Sequence, residues 1–522
     1  MPHLFLTGHP KPQAGEGLVC PVNRTLLILW LVFLTLLCQI PLLSPQFMPT
    51  HDNMNRFAMF YPLYSHLTLQ GELPLWLPHV NYGVTYFYMQ FNSLSPSLAL
   101  MAGLGWLFNV DNVLILFKLS MVVDALFFTF SMLLLVEELL PESRLARCLV
   151  LVGSILTSSW MEQPYLNFYV YYALPLVIFL LVRFIRRKES GYFWAAALVE
   201  LMSFMGNVAY FAPLHFWGLL LLFLPTLYKQ PSLLRALFGK GSLLMFCGLA
   251  LVAGTLAYFA IHSLDYLTLL SYGRDAADGQ VSPRHFLNYG RGSLANMASG
   301  LLTGGFLHFD NTYYMGLLPL VLFFYGLLVY THPLFVGFAL FILLLVALSV
   351  GGATALMVYL YLPGMNLFRH VGMVYGLVKV LLLPAVGMLV QAMVTSTIAK
   401  RPSWLNVAML LLVAAILLDG WWVWRPYDNQ LVYEKSEFMR ASWWIAPALR
   451  VLLYGLVVVW LWRDSKRLLP GLLLAFFVDV AIFQLQVVVT TPLASREIPA
   501  STFDRRPITF LAERQKKVDA SS

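Results

Sequence analysis

The chain has 522 residues, of which 60% are hydrophobic and 11% are charged. This composition excludes an ordinary soluble protein, whose charged fraction is about 25%. The formal net charge is +8, but the Lys and Arg residues stand in small groups between apolar runs, which indicates membrane orientation rather than nucleic-acid binding. The runs do not alternate as the strands of an outer-membrane barrel do, so we expect membrane-spanning helices.

Apolar segments long enough to cross a bilayer, which takes about 20 residues, recur along the whole chain. They predict an all-α polytopic membrane protein of about 13 transmembrane helices, near 25–44, 112–136, 148–160, 169–183, 194–206, 210–228, 242–261, 313–330, 334–350, 373–397, 404–420, 446–462 and 468–489. The first segment is too long and too apolar for a cleaved signal peptide. We therefore expect one transmembrane domain over 25–489, between the terminal tails 1–24 and 490–522.

Short loops rich in Lys and Arg set the expected orientation. The basic loops on one side are 141–147, 183–188, 228–240, 399–401 and 463–467. The positive-inside rule makes that side cytoplasmic, together with the N-terminal tail. An odd number of spans then places the C-terminal tail outside, although its basic character is unusual there.

The other side carries the four long loops of this threading. They are 45–111, 262–312, 351–372 and 419–445. Long loops in a compact protein are usually functional, so we expect the chemistry on the outer face.

The first outer loop begins with the stretch MPTHDNMNRFAMFYP, residues 48–62. Helical spacing of Phe57, Phe60, Tyr64 and Leu67 predicts an interfacial helix that ends near Gly71. Asp52 or Asn53 then falls at its N-cap, where a short acceptor side chain satisfies free N–H groups. Asp52 is therefore either a helix cap or a carboxylate with a chemical role.

The order of motifs along the chain resembles that of the YfhO-type bacterial membrane proteins and, more loosely, that of the C-type (GT-C) glycosyltransferases. An acid follows the first span, and then come GELPLWLPHVNYG (71–83) and a stretch ending in LSP. Later matches are TYYMGLLPLVL (312–322), LPGMNLFRHVG (362–372), FFVDVAIFQLQ (476–486) and RRPITFL (505–511). Each motif is short, and their order and placement carry the resemblance.

The resemblance implies a GT-C-like bundle in the bacterial inner membrane whose extracytoplasmic loops carry interfacial helices. It also implies transfer of a sugar from a polyprenyl-phosphate donor to a glycan or other envelope polymer on the outer face. The acid of the first outer loop, here Asp52, would be the base toward the acceptor hydroxyl. We expect no cofactor and no metal, although a divalent ion is possible if Asp52 and Glu162 lie close together.

Basic residues near the tenth span are candidates for binding the donor phosphate. Arg369 can grip phosphate oxygens in a bidentate way, or it can anchor the span at the headgroups. Lys379 lies some seven residues inside that span, about 10 Å deep, where it lines a site, forms a structural ion pair or snorkels. His370 stands where the family tends to have a second basic residue, and His51 precedes the acid where a small or acidic residue is usual.

Further candidates lie in the outer loops. Glu162 is either a second acid of the site or a solvated loop residue. Arg56 follows Asp52 by one helical turn and, with His51, is assigned to substrate binding, as are Arg284 and His285 in the long loop 262–312. That loop has the length of a mobile lid.

Two functions from different classes remain open. The first is a glycosyltransferase, and the alternative is a non-enzymatic transporter of lipid-linked glycans or an inactive relative. The scarcity of charged residues within the spans favours the enzyme. The chain has no nucleotide-binding phosphate loop, no H-E-x-x-H motif and no G-x-S-x-G elbow, which removes support for ATP-driven transport, metalloprotease and serine-hydrolase chemistry.

Overall fold

The computed structural model describes residues 24–49, 51–71, 76–77, 84–85, 95–157, 170–203, 211–238, 242–262, 283, 287, 314–365, 374–396, 404–422, 448–459, 465–490 and 500–505. Almost all of these residues are helical. Within them the sheet structure is one antiparallel pair of two-residue strands, β1 (Trp76–Leu77) and β2 (Val84–Thr85). The all-α class expected from the apolar runs is confirmed.

The described helices are numbered in chain order. The first part of the chain forms α1 (Arg24–Cys38), α2 (Ile40–Leu43), α3 (His51–Gln70), α4 (Pro96–Leu107), α5 (Val113–Leu139), α6 (Arg144–Thr157), α7 (Val170–Arg187), α8 (Ser190–Ser203), α9 (Phe211–Lys229), α10 (Ser232–Ala236) and α11 (Ser242–His262). The second part forms α12 (Leu317–Val329), α13 (Pro333–Val350), α14 (Ala353–Tyr361), α15 (Tyr375–Val394), α16 (Trp404–Trp422), α17 (Ala448–Val459), α18 (Ser465–Thr490) and a short 3-10 turn at Ala500–Phe503.

Four helices are long and apolar enough to cross a membrane, as far as the described residues go. They are Val113–Leu139, Pro333–Val350, Gly376–Val394 and Arg467–Leu485. Five further apolar helices are 10–17 residues long. Each of the 13 predicted segments overlaps a described helix, but the count of about 13 spans is not confirmed. The long apolar helices agree with a membrane protein.

Helix α13 shows how the sequence sets these elements. Its run PLFVGFALFILLLVALSV has no charged residue and is apolar all round, as expected of a helix buried among others. Pro333 stands in the first turn, where its missing N–H is not needed. The helix ends at Gly351, whose φ of 74° is left-handed and suits glycine.

Close contacts fix the direction of the helices in the central bundle. The Glu142 amide donates to the Gln391 side chain at 3.1 Å, and a Cβ on Gly153 would lie 3.3 Å from Leu383. Helices α6 and α15 are therefore antiparallel. Helix α12 runs with α15, because a Cβ on Gly326 would lie 3.2 Å from Leu389.

The bundle has two distinct ends. At one end, which we call the α3 end, Lys118 near the start of α5 donates to the carbonyl of Ser44, just before α3. At the other, the basic end, the last turn of α5 meets the start of α1 through Glu137 and Arg24 and the end of α7 through Glu138 and Arg183. The predicted basic loops 141–147 and 183–188 meet at this basic end.

The first outer loop contains more structure than its sequence predicted. Helix α3 ends at Gln70, and Gly71 has a φ of 70°, so the predicted terminator is confirmed. The helix starts at His51, which puts Asp52 and Asn53 in its first turn rather than at the N-cap, and that prediction is wrong by one or two positions. Helix α4 was not predicted, because a 12-residue apolar helix is too short to register as a span.

Residues 500–505 pack against the first outer loop. Phe503 meets Phe57 of α3 edge-to-face with ring centroids 5.5 Å apart, and the Tyr61 hydroxyl donates to the carbonyl of Asp504. Arg505 forms an ion pair with Asp111 at 2.8 Å. Residues 500–505 therefore lie at the α3 end, on the same side of the bundle as the first loop.

Candidate functional site

Helix α3 is fixed on the bundle by an aromatic face. Phe57, Phe60 and Tyr64 are at most 5% exposed and pack against Phe117 of α5, with Phe57 and Phe117 ring centroids 5.5 Å apart. The Tyr64 hydroxyl also donates to the Val110 carbonyl at 2.6 Å. These three residues are the predicted helical stripe. Their contacts fix α3 on the bundle.

Below this face lies a buried polar group that we call the Asp124 cluster, made of Arg56, Ser95, Ser97 and Asp124. The Ser97 hydroxyl donates to Asp124 Oδ2 at 3.0 Å and is 2.9 Å from the Ser95 hydroxyl. Arg56 is 6% exposed, Asp124 is 8% exposed, and the Arg56 charge acts on the Asp124 carboxyl. Arg56 was predicted to bind substrate, and the structure places its side chain in the protein interior near Asp124.

Asn53 lies in the same turn as Asp52 and one turn before Arg56. Its side chain is 1% exposed, and neither its amide oxygen nor its nitrogen has a hydrogen-bond partner within the described residues. A buried amide of this kind is normally completed by a water or a ligand group. The side chains of His51 and Asp52 lie outside the described part, although the backbone of both belongs to α3.

A second buried group, the Asp479 cluster, joins α17, α18 and the residues before α12. Arg450 Nε donates to Asp479 Oδ1 at 2.6 Å, and the Tyr454 hydroxyl donates to Oδ2 at 3.1 Å. The Arg450 guanidinium lies 4.4 Å from the ring centre of Tyr314. Asp479 is 0% exposed and Arg450 5%, so the pair is removed from both water and lipid.

The sequence contained a signal for this cluster that we did not use. Asp479 is the one charged residue in the apolar run 468–489, and an ionisable residue within a span is a functional candidate by default. Its partner Arg450 lies 29 positions away on another helix, and no local pattern links the two. Lys118, Asp124 and Lys379 are buried as well. Charged residues within the apolar helices are therefore less scarce than we expected from the sequence.

Lys379 lies at the same end of the bundle as the Asp479 cluster. It precedes Leu383 by one turn of α15. Leu383 and Phe476 both lie next to Gly153, so these residues of α15, α18 and α6 are at the same height in the bundle. A Cβ on Gly316, at the start of α12, would also touch Phe476 at 2.6 Å. Lys379 is 3% exposed, so it faces the protein interior and does not snorkel along the lipid surface.

A third buried pair stands near the start of α9. His215 Nδ1 is 2.7 Å from Glu200 Oε1, and the histidine side chain is 0% exposed. The neighbouring Trp217 donates its indole N–H to the carbonyl of Pro363 at 3.2 Å. The pair therefore borders the predicted loop 351–372, which carries Arg369.

The remaining predicted site residues lie outside the described residues. They are Glu162, Arg284, His285, Arg369 and His370. The structure therefore does not test whether these side chains join Asp52 and Lys379 in one site. Among the residues that it describes, no group of three or more His, Cys, Asp or Glu side chains could hold a metal ion.

Comparison of the chain with family models, with curated proteins and with solved structures gives no match. The site is therefore interpreted from its own residues. Its central feature is the concentration of buried charge towards the α3 end, with Arg56 of the Asp124 cluster one turn after Asp52.

Proposed function

We propose that the protein is a membrane glycosyltransferase of the GT-C type. It transfers a sugar from a polyprenyl-phosphate donor to a cell-envelope acceptor at the α3 end of the bundle, which faces the outside of a bacterial inner membrane. The observation that carries the proposal is the position of Asp52. It stands in the first turn of a helix locked on the bundle, one residue from a buried amide that needs a partner.

The proposed reaction gives each polar group a task. The Asp52 carboxylate takes the proton of the acceptor hydroxyl, whose oxygen then attacks the anomeric carbon of the sugar. The bond between that carbon and the donor phosphate oxygen breaks, and polyprenyl phosphate leaves as an anion. The leaving anion needs cationic stabilisation rather than a proton, and Arg369, His370 and Lys379 are the groups assigned to it.

The remaining candidates take supporting roles in this proposal. Glu162 is assigned as a second acid of the site. Arg284 and His285 contact substrate from the loop 262–312, and His51 contacts it beside Asp52. Arg56 acts through the Asp124 cluster: its buried charge fixes the turn next to Asp52, which makes it a positioning residue rather than a substrate ligand.

Exchange of Asp52 for asparagine tests the proposal. Asp52→Asn removes the base but keeps the shape of the side chain. Since a carboxylate in the first turn of a helix contributes only about 0.3–1 kcal/mol through the helix dipole, we expect near-normal folding. Transfer from a polyprenyl-phosphate sugar should fall by about 10²-fold or more.

A matched control is Met54→Asp in the Asp52→Asn background, which places a carboxylate two positions further on, at an exposed site. We expect it not to restore transfer, because that side chain points about 200° around the helix. Full transfer by Asp52→Asn in the purified, folded protein would remove Asp52 as the base.

A second candidate function is a non-enzymatic transporter of lipid-linked glycans. The buried charges of α5, α15, α17 and α18 favour it, because transport pathways use ionisable residues within spans. A reconstituted protein that moves a lipid-linked sugar across vesicles without cleaving its phosphate bond would support transport. Release of polyprenyl phosphate would support transfer.

A further inference from the structure

The basic end of the bundle contains a small cavity that the proposed sugar transfer does not use. It has a volume of about 160 Å³ and lies where the ends of α5, α7, α12 and α15 meet the start of α13. Its polar lining residues are Glu142, Arg186, Tyr330, His332 and Gln391. Its apolar walls are formed by Leu139, Pro141, Leu334 and Met388.

The volume limits what can bind there. Pockets for drug-sized ligands measure about 300–1,000 Å³, so a nucleotide or an organic cofactor does not fit. The cavity has room for several water molecules, and therefore for a small polyatomic group. A larger molecule can place only its polar head in it.

Basic side chains lie on and near the cavity. Burial, together with the charges of Lys229 and Arg186, lowers the pKa of His332 to about 4, so the imidazole is neutral at pH 7. The nearby carboxylate of Glu138 is already held by Arg183 at 2.8 Å and by Arg186 at 2.9 Å. Glu142, which also lines the cavity, is exposed to solvent.

The lining groups suit a phosphate. Arg186 directs Nη1 to Glu138, and a guanidinium has five N–H donors, so it can also serve a phosphate oxygen. The carboxamide of Gln391 accepts from the Glu142 amide through its oxygen, and its NH₂ group is the complementary donor.

We propose that this cavity binds the phosphate group of an anionic membrane lipid. Its position favours a lipid over free phosphate, because it lies at the end of the apolar helices with apolar side chains on one wall. Basic pockets between transmembrane helices are a known setting for anionic headgroups. The bound lipid would tie together helices α5, α7, α13 and α15 at this end.

Lipid exchange in nanodiscs tests the proposal with the full-length protein. Wild type in zwitterionic phosphatidylcholine is compared with wild type in phosphatidylcholine that contains phosphatidylglycerol. A ligand that binds only the folded state stabilises it, so we expect a higher Tm in the anionic discs and retention of phosphatidylglycerol in native mass spectra. Equal Tm values and no retained lipid would overturn the proposal.

Three variants locate the effect. Arg186→Gln should weaken phosphatidylglycerol binding about tenfold or more, as expected for loss of a charge-assisted hydrogen bond. Arg187→Gln removes the same charge from the neighbouring position, where the guanidinium contacts Tyr192 instead, and should bind like wild type. Lys229→Gln leaves the Glu138 pair intact and should weaken binding less than Arg186→Gln.

These variants also separate a specific site from general attraction to a basic surface. Equal weakening by Arg186→Gln and Arg187→Gln would mean surface attraction only and would overturn the site. If Arg186→Gln does not fold, unchanged binding by Lys229→Gln overturns the proposal and weakened binding supports it. Inorganic phosphate added to zwitterionic discs distinguishes the sources: stabilisation by phosphate without any effect of the lipid would contradict a lipid site.

Discussion

The two ends of the bundle differ in how far their charged side chains are buried. At the basic end, charged side chains form pairs that remain in contact with water, such as Arg24 with Glu137, whose side chains are 67% and 30% exposed. Towards the α3 end several charged side chains are buried, although Asp111, which pairs with Arg505 there, is 62% exposed. Those at most 8% exposed are Arg56, Lys118, Asp124, Lys379, Arg450 and Asp479, and each belongs to α3 or to the half of its bundle helix that faces the α3 end.

This difference separates charges that orient the protein in the membrane from charges that need a buried partner. Exposed pairs contribute about 0–1 kcal/mol each, and a basic rim mainly sets which side of the membrane a loop occupies. Burial of an ion removes its hydration, which costs several kcal/mol that the pair itself regains only with good geometry. Buried charges concentrated towards one end agree with the proposed site there, which would need fixed charges out of contact with water.

The largest effect is expected from breaking the Asp479 cluster. Asp479→Ala leaves the buried Arg450 charge without its carboxylate, and loss of one partner of a buried pair costs about 3–5 kcal/mol. We expect a strongly lowered Tm, measured in detergent by thermal unfolding. Glu138→Ala, the matched change at the basic end, should cost far less because Arg183 and Arg186 then face water.

A double variant decides between pairing and packing. Asp479→Leu combined with Arg450→Met removes both charges and keeps apolar volume, so it should recover much of the stability lost in Asp479→Ala. Equal Tm values for Asp479→Ala and Glu138→Ala would instead show that the two ends do not differ in the way described.

The sequence predicted the helices well because apolar runs depend on local composition. Helices lie at all 13 predicted segments, and the stripe of Phe57, Phe60 and Tyr64 is buried as its spacing indicated. Helices α4 and α14, of 12 and 9 residues, were missed because they are shorter than a span. Both occupy segments that the sequence presented as loops.

The site was less predictable because its contacts join distant positions. The Arg56 charge of α3 acts on Asp124 of α5. Arg450 of α17 donates a hydrogen bond to Asp479 of α18. A single sequence shows that such residues are charged but not which partner neutralises them. Asp52 was found by its place after the first span, and its role stays a prediction because its side chain lies outside the described residues.

A middle-sized effect is expected from pH at the basic end. The pKa of His332 is about 4 in the folded protein against an ordinary 6.5, so the unfolded chain takes up a proton first as the pH falls below 6.5. Stability is therefore lost between pH 6.5 and pH 4, by about 2 kcal/mol at pH 5 and roughly 3 kcal/mol in full. Above pH 7 this histidine should have no effect.

His332→Gln isolates this contribution because glutamine does not titrate. The variant should lose less stability than wild type between pH 7 and pH 5, as measured by denaturant unfolding at both values. Parallel pH profiles of the two proteins would contradict the lowered pKa of His332. A bound anionic lipid would offset the charges of Lys229 and Arg186 near His332, so the wild-type profile should flatten in part in phosphatidylglycerol discs.

The smallest effect is expected from the Arg24–Glu137 pair, which is the sharpest test of the comparison because its geometry is good. Arg24 Nε and Nη2 donate to the two carboxylate oxygens of Glu137 at 3.2 and 2.9 Å, yet both side chains remain exposed. A double-mutant cycle of Arg24→Gln and Glu137→Gln should give a coupling energy of about 0–1 kcal/mol that shrinks in high salt. A salt-independent coupling above about 2 kcal/mol would mean that water does not screen this pair. Exposure would then not explain weak coupling at the basic end, and the contrast with the buried pairs towards the α3 end would fail.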